Sequence, residues 1–279
     1  MEIQILAVPY DTALRAYRMG AGPEHLLNAG LVEHLELAGH HAWVGWIEAQ
    51  SDPPAEIRTA FELNRELSRR IHAALAEGRF PLVLAGNCIS SIGTLAGVSE
   101  HPTGVLWFDS HGDFNTPDTT LGGFLDGMAL AAATGRCWNQ MAATVPGFHP
   151  VAEQNALLLG TRDLDPLEAE ALAASGVRLI PPAGLATALE PALADLKTRV
   201  SGAYLHLDLD VLDPAEGRVN VFAAPDGPTL DQMKEALRTI ARQIPLRAAA
   251  LTAYDPSYDE DGRVVRAAFE LLDALINDL

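Results

Sequence analysis

Eight short apolar runs, separated by longer stretches of helical periodicity, restrict the folds open to this 279-residue chain. Most of the runs are continuous rather than alternating, which is typical of parallel strands covered by helices on both faces. The alternation of strand and helix along the whole sequence predicts one α/β domain over residues 1–279, with a mainly parallel sheet. The predicted strands are residues 3–8, 41–47, 81–85, 104–108, 156–159, 177–180, 203–209 and 248–254, and the predicted helices include residues 55–76, 166–175, 189–200, 229–243 and 263–275.

The composition excludes several classes of function. Asp and Glu outnumber Lys and Arg by 37 to 19, so the chain lacks the basic surplus that neutralises phosphates in nucleic-acid complexes. The same charge disfavours an anionic membrane surface, and no apolar run reaches the ~18–20 residues of a membrane span. Two cysteines are too few for a disulfide framework, and residues 1–9 lack the basic start of a signal peptide. We therefore predict a cytoplasmic protein without nucleic-acid or membrane partners.

Two clusters of acidic residues directly follow apolar runs. Asp109, His111 and Asp113 alternate after one run, and Asp208 and Asp210 alternate at the end of another. If strand geometry continues, each alternating set faces one side, at the carboxyl ends of strands where ligands bind in parallel sheets. Four carboxylates gathered there cost several kcal/mol unless cations neutralise them, and Asp with one His suits a hard metal such as Mn²⁺. For any single Asp the alternative is a turn or helix cap, but the two clusters together predict a metal site.

The residues around both clusters resemble the arginase/agmatinase (ureohydrolase) family of binuclear manganese hydrolases. Residues 107–117 match the pattern WxDAHxDxNTP with Ser110 in place of Ala, and residues 206–214 match SxDxDxxDP with His206 in place of Ser. Residues 18–23 resemble the family's N-terminal glycine loop, and residues 84–89 lie where the family has LGGDHS. The resemblance implies a three-layer α/β/α arginase-like fold with an eight-stranded sheet. It also implies two metal ions per chain and a homo-oligomer, usually a trimer or hexamer.

Carried over residue by residue, the resemblance implies a metal site in two halves. Cys88 stands where the family has a His ligand, and a hydroxyarginine-hydrolysing branch of the family is similar in carrying Cys there. Sulfur favours softer metals, so Zn²⁺, Fe²⁺ or Co²⁺ would compete with Mn²⁺ at this position. The alternative for Cys88 is a small buried hydrophobic residue. One ion would be held by Cys88, Asp109, Asp113 and Asp208, and the other by Asp109, His111, Asp208 and Asp210.

The resemblance also implies the contacts to the substrate. Asn115 and Thr120 would contact an α-carboxylate, and Asp165 and Glu168 would contact an α-amino group. Helix capping is the alternative for the last two residues. Ala253 stands where the family has a guanidinium-binding Glu, and loss of that charge-assisted pair favours a head group less basic than arginine's, such as hydroxyguanidine.

The implied reaction is hydrolysis of a C–N bond in a guanidino or hydroxyguanidino amino-acid-like substrate, with hydroxide held between the two ions as nucleophile. His111 and Asp210 would act at the metals, with Asp210 orienting the hydroxide. The leaving amine would be protonated by water or by Asp126, which stands where the family has a proton-shuttling His. Two alternatives stay open. One is hydrolysis of a formimino, ureido or other amidine substrate at the same site, and the other is a degenerate arginase-like protein that binds metal or an amino acid without turnover.

Overall fold

All eight predicted strands form one sheet in the computed structural model, which describes residues 1–98 and 102–279. Every neighbouring pair of strands in the sheet is parallel. A two-stranded antiparallel hairpin, Tyr10–Asp11 with Leu14–Arg15, lies outside the sheet. The strands are β1 (Glu2–Val8), β2 (His41–Trp46), β3 (Phe80–Ala85), β4 (Thr103–Phe108), β5 (Ala156–Leu159), β6 (Arg178–Ile180), β7 (Gly202–Asp208) and β8 (Leu246–Thr252). Their order in the sheet is β2-β1-β3-β8-β7-β4-β5-β6.

Helices connect each strand to the next along the chain, and a last helix follows the final strand. Four of the five predicted helices lie within two residues of their expected bounds. The fifth, Leu185–Leu196, begins four residues earlier than predicted and runs through Pro191. No helix in the described part of the chain combines the length and apolar character needed to cross a bilayer. The helices are α1 (Gly22–Asn28), α2 (Leu31–Leu37), α3 (Glu56–Ala76), α4 (Ser91–Val98), α5 (Ala129–Ala133), α6 (Asn139–Ala142), α7 (Pro166–Ala173), α8 (Leu185–Leu196), α9 (Leu230–Gln243) and α10 (Arg263–Ile276).

Two hydrophobic cores, one on each face of the sheet, explain why the apolar runs are continuous. In β4, Leu106 and Phe108 pack with α8, α9 and α10 on one face, whereas Val105 and Trp107 pack with α3, α4 and α5 on the other. All four of these side chains are fully buried. Burial on both faces requires apolar residues at successive positions rather than at alternate ones. The prediction of a three-layer α/β/α fold is confirmed.

The four central strands, in the order β3-β8-β7-β4, bring the acidic clusters to the carboxyl edge of the sheet. The assumption that strand geometry orients the first cluster is wrong, because β4 ends at Phe108 and the chain turns away from it. Asp113 has a φ of 48°, in the left-handed region. Asp208 ends β7 and a single 3₁₀ turn, Leu209–Val211, carries Asp210. Loop conformation, rather than strand alternation, therefore aims these carboxylates.

Candidate metal centre and substrate cavity

The carboxyl edge of the sheet opens into a cavity of about 380 Å³. Eight Asp and Glu side chains line it, together with His111 and Cys88, and no Lys or Arg of the described residues does. The cavity is therefore strongly acidic when its carboxyl groups are ionised. All eleven candidate site residues lie in its wall: Cys88, Asp109, His111, Asp113, Asn115, Thr120, Asp126, Asp165, Glu168, Asp208 and Asp210.

Two adjacent groups of potential ligands share the Asp109 carboxylate. Cys88, Asp109 and Asp208 each place one ligand atom within 4.8 Å of the others, and Asp109, His111 and Asp210 do the same. We call Cys88, Asp113 and Asp208 the Cys88 half-site, and His111 and Asp210 the His111 half-site, with Asp109 between them. Two neighbouring sites bridged by a carboxylate are the arrangement that binds a pair of divalent ions.

The His111 half-site is held together by hydrogen bonds from the protein itself. Asp210 Oδ1 accepts hydrogen bonds from the Ser110 hydroxyl at 2.7 Å and from the Ser110 backbone N–H at 3.3 Å. Asp210 Oδ2 accepts a hydrogen bond from Asn220 Nδ2 at 3.2 Å. His111 Nδ1 lies 3.2 Å from Asp109 Oδ1 and 3.5 Å from Asp210 Oδ2. Burial opposes charge on Asp210, but His111 and these donors lower its pKa below the usual value. Burial also lowers the pKa of His111, yet Asp210 and Asp109 outweigh it and raise the pKa to about 10.

The Cys88 half-site has much less internal compensation. The Cys88 thiol donates to Asp208 Oδ2 at 3.1 Å, and its Sγ lies 3.4 Å from Thr252 Oγ1. Asp113 Oδ2 is buried and accepts no hydrogen bond from the described residues. Burial, and then the neighbouring carboxylates, raise the pKa values of Cys88, Asp113 and Asp208 well above their usual range. A divalent cation would provide the positive charge that this half-site lacks, so its donor set fits a metal ion.

A buried aromatic stack lies directly beneath Asp109. His206 stacks on Trp107 with ring centroids 3.7 Å apart, and the Trp107 Nε1–H donates to Asp109 Oδ2 at 3.2 Å. The Tyr204 hydroxyl lies 2.8 Å from His206 Nδ1, and Thr252 Oγ1 lies 3.3 Å from His206 Nε2. Burial lowers the pKa of His206 to about 3, so its ring is neutral. At this position, where the family pattern has Ser, the His packs against Trp107, and Trp107 in turn donates to Asp109.

The predicted contacts for an α-carboxylate are partly occupied by the protein. Asn115 Nδ2 donates to Asp165 Oδ2 at 3.1 Å, and Asn115 Oδ1 accepts from the Thr119 hydroxyl at 2.9 Å. The Thr120 hydroxyl accepts from the Gly123 N–H at 3.0 Å. One amide hydrogen of Asn115 and the hydroxyl hydrogen of Thr120 thus stay available to a ligand.

Glu168 has a clear structural role at the start of α7. Its Oε1 accepts from the Phe114 N–H at 2.8 Å, and its Oε2 accepts from the Asp165 N–H at 3.2 Å. Burial raises the pKa of Glu168 even though both backbone donors oppose the shift. The capping interpretation of Glu168 is therefore correct, and the same carboxyl group also faces the cavity.

Asp126 lies in the cavity wall and is 6% exposed. Its Oδ1 accepts from the Ile89 N–H and its Oδ2 from Asn87 Nδ2, both at 2.8 Å. Burial raises the pKa of Asp126 to about 8 despite these donors. This carboxyl group therefore retains a proton near neutral pH, as a proton donor must.

Sequence reasoning assigned no role to an aromatic wall on one side of the cavity. Phe124 and Phe222 stack with centroids 5.6 Å apart, and Phe222 lies edge-on to His111 at 6.4 Å. The wall belongs to the two loops, residues 123–127 and 220–225, in which the sequence departs from the family patterns. Asn220 and Asp163 also line the cavity and were missed. The sequence signal that could have indicated the aromatic wall was the departure of these two loops from the family patterns.

The Arg162 guanidinium connects the loop that carries Phe222 to residues 210–212, which follow β7. Within residues 1–98 and 102–279, its N–H groups donate to backbone carbonyls alone, at 2.7 to 3.3 Å. These acceptors come from three segments that are distant in sequence. They are the carbonyl oxygens of Gly160, Asp210, Val211, Leu212, Ala224 and Pro225.

Comparison with known proteins agrees with this architecture. The arginase family profile matches residues 1–277. The arginase of Bacillus caldovelox is 30% identical, with 99% of this chain and 98% of the relative covered. The crystal structure of arginase from Bacillus cereus superimposes with a TM-score of 0.89 at 29% identity, covering 99% of this chain and 98% of that one.

A more distant structure shares the fold alone. Formimidoylglutamase from Bacillus subtilis superimposes with a TM-score of 0.79 at 18% identity, covering 100% of this chain and 87% of that one. The match over nearly the whole chain, together with the parallel sheet and the acidic cavity at its carboxyl edge, establishes that this chain belongs to the arginase family of hydrolases.

Proposed function

We propose that this protein hydrolyses a C–N bond in an amino-acid-like substrate with a guanidino or hydroxyguanidino head, at a two-metal centre. The observation that carries the proposal is the pair of ligand groups that share Asp109. Neither group has a Lys or Arg partner among the residues lining the cavity, so cations from solution have a clear place there. The proposed ligands are Cys88, Asp109, His111, Asp113, Asp208 and Asp210.

Two divalent ions, Mn²⁺ or a softer metal at the Cys88 half-site, would acidify water and polarise the carbon under attack. The protein's part is to fix the ligands and manage protons. Ser110 and Asn220 hold the Asp210 carboxylate in one orientation. Asp126 keeps its proton near neutral pH and faces the cavity, so we assign it the protonation of the leaving amine.

The cavity wall supports an amino-acid-like substrate with a weakly basic head. Asp163 and Asp165 supply negative charge for an ammonium group, and Asn115 and Thr120 keep hydrogen-bond donors for a carboxylate. Ala253 presents a methyl group where a carboxylate would otherwise bind a full guanidinium cation. N-Hydroxyarginine, whose head group is less basic than that of arginine, is therefore our first candidate.

Hydrolysis assays with N-hydroxyarginine, arginine and formimino and ureido amino acids test the proposal, after loading with Mn²⁺, Zn²⁺ or Co²⁺. We expect release of the hydrolysed head group with kcat/KM higher for N-hydroxyarginine than for arginine. Ala253→Glu should improve arginine selectively. Metal binding without turnover of any substrate would favour the degenerate protein instead.

The Cys88 thiol makes the metal preference testable. Cys88→Ser replaces the soft ligand by a hard one, so the ratio of Zn²⁺ to Mn²⁺ affinity should fall, as measured by competition titration. Cys137→Ser is the matched control, because Cys137 is buried and does not line the cavity. An unchanged ratio would show that Cys88 is a packing residue.

We also propose a cytoplasmic location and a homo-oligomer of three or six chains, as the family resemblance implies. Cell fractionation and light scattering of the purified protein test these two predictions.

A further inference from the structure

Asn220 is fully buried, yet it lies in the wall of the cavity. Its Nδ2 donates to Asp210 Oδ2 at 3.2 Å and to the Ala253 carbonyl at 2.9 Å. Its Oδ1 accepts from the Phe222 N–H at 2.8 Å. Both amide hydrogens and the amide oxygen are therefore engaged, which fixes the orientation of the side chain.

The bond to Asp210 determines how that carboxylate is turned. Ser110 provides two donors to Oδ1, whereas Oδ2 has Asn220 as its donor and His111 at 3.5 Å. Without Asn220, Oδ2 would lose a hydrogen bond that holds it toward His111. Partners that orient metal-binding side chains typically change metal affinity or activity by about 10- to 100-fold when removed.

The bond to Phe222 places an aromatic ring over the same half-site. With its N–H held by Asn220, Phe222 lies edge-on to His111 and stacks on Phe124. The third bond anchors Asn220 to the end of β8 through the Ala253 carbonyl. One amide group therefore contacts a candidate metal ligand, the aromatic wall and the position that replaces the guanidinium-binding Glu.

We propose that Asn220 is a positioning residue that couples the His111 half-site to the aromatic wall. It holds the Asp210 carboxylate for metal binding and holds Phe222 against the head group of the substrate. This inference rests on the proposed function, but the expected effect of Asn220 on metal affinity can be tested without any substrate.

The experiment compares Asn220→Ala with Phe222→Ala and with Asn155→Ala. Asn155 is buried and accepts from Arg199 Nε at the amino end of β5, so its substitution controls for the general cost of losing a buried amide. Mn²⁺ affinity is measured by calorimetry. Co²⁺ spectra separate the halves, because only the ion at Cys88 gives a thiolate charge-transfer band. Kinetics with N-hydroxyarginine then separate KM from kcat.

Asn220→Ala should weaken one of the two Mn²⁺ sites by about 10- to 100-fold, keep the thiolate band and raise KM. Phe222→Ala should raise KM with both metal affinities unchanged, and Asn155→Ala should change neither. Asn220→Ser, which leaves a shorter donor, serves if the Ala variant fails to fold, and it should move the same readouts in the same direction.

Two results would overturn the inference. One is wild-type metal affinity at both sites in a folded Asn220 variant, and the other is equal metal loss in Asn220→Ala and Asn155→Ala. A wild-type protein that binds fewer than two ions would instead overturn the proposed two-metal function, so the two failures are distinguishable.

Discussion

The two half-sites lie side by side and share Asp109, but they are built in opposite ways. Asp210 of the His111 half-site accepts three hydrogen bonds from neutral donors and has His111 beside it. In the Cys88 half-site, Asp113 Oδ2 has no donor among the described residues, and the thiol itself donates to Asp208. The pKa of Asp210 is lowered, whereas the pKa values of Asp113 and Asp208 are raised well above the usual range.

The His111 half-site is therefore preorganised by protein groups, whereas the Cys88 half-site depends on a cation. The His111 half-site stabilises its own charges with protein groups and can keep its shape without an ion. The thiol and carboxyl groups of the Cys88 half-site would lose their protons when a metal ion binds, whereas in the His111 half-site the imidazole would lose one. We therefore expect metal removal to affect the Cys88 half-site most.

The largest expected effect comes from metal removal. Ions that bind the folded chain stabilise it by about 4 kcal/mol at a free concentration about 1,000 times Kd. Chelator should therefore lower the melting temperature at about pH 7 clearly, and Mn²⁺ should restore it. Calorimetry and elemental analysis should give two ions per chain. Equal melting curves with and without chelator would argue against a metal site.

A matched pair of isosteric substitutions tests the difference between the halves directly. In metal-free protein at about pH 7, Asp113→Asn replaces a buried carboxyl group with a neutral amide. The raised pKa of Asp113 obliges the fold to bind a proton there, so the substitution should raise stability by at least about 1 kcal/mol. Its φ of 48° also suits Asn. Asp210→Asn places an amide against the donors of Ser110 and Asn220, so it should lower stability.

Denaturant melts in chelator measure both variants, and each variant should bind one ion fewer. If the two substitutions changed metal-free stability in the same direction, the contrast between the half-sites would be wrong.

A smaller effect is expected at Asp126, which lines the same cavity but already has two hydrogen-bond donors. Its folded pKa of about 8 is above the unfolded value, so the metal-free fold keeps a proton that the unfolded chain releases. The stability that this proton provides is fully present below about pH 4 and is lost as pH rises through about 8.

Asp126→Asn, which does not titrate, should therefore melt progressively higher relative to wild type as the pH is raised from about 5 to about 8. Glu153→Gln is the control of opposite sign. The pKa of Glu153 is lowered by the Arg136 hydrogen bond, so its contribution is lost only in acid. A pH-independent difference for Asp126→Asn would mean that Asp126 is ionised in the fold.

The sheet could be predicted from the sequence because strands that are buried on both faces need apolar residues at consecutive positions, and such runs are visible in the sequence. The acidic clusters could also be located, since one directly follows β4 and the other begins at the last residue of β7. How the side chains turn could not be predicted. Asp113 depends on a left-handed backbone conformation that spacing does not reveal.

The aromatic wall was hidden for a related reason. Phe222 and Asn220 reach the cavity because their loop folds back onto residues 210–212, which follow β7. Those contacts lie between irregular segments. Such segments have no helical or strand periodicity from which buried side chains could be predicted. A buried Asn and a half-exposed Phe in a loop look like ordinary surface residues in a sequence.

The Arg162 guanidinium has a consequence for the order of folding. Its acceptors follow β5 and β7 or belong to residues 224–225, so its hydrogen bonds can form only after these segments have docked. We expect these bonds to be absent from the folding transition state. Loss of them in Arg162→Met should then accelerate unfolding and leave the folding rate nearly unchanged in stopped-flow kinetics. Arg162 would thus govern how long the finished site persists rather than how quickly it assembles.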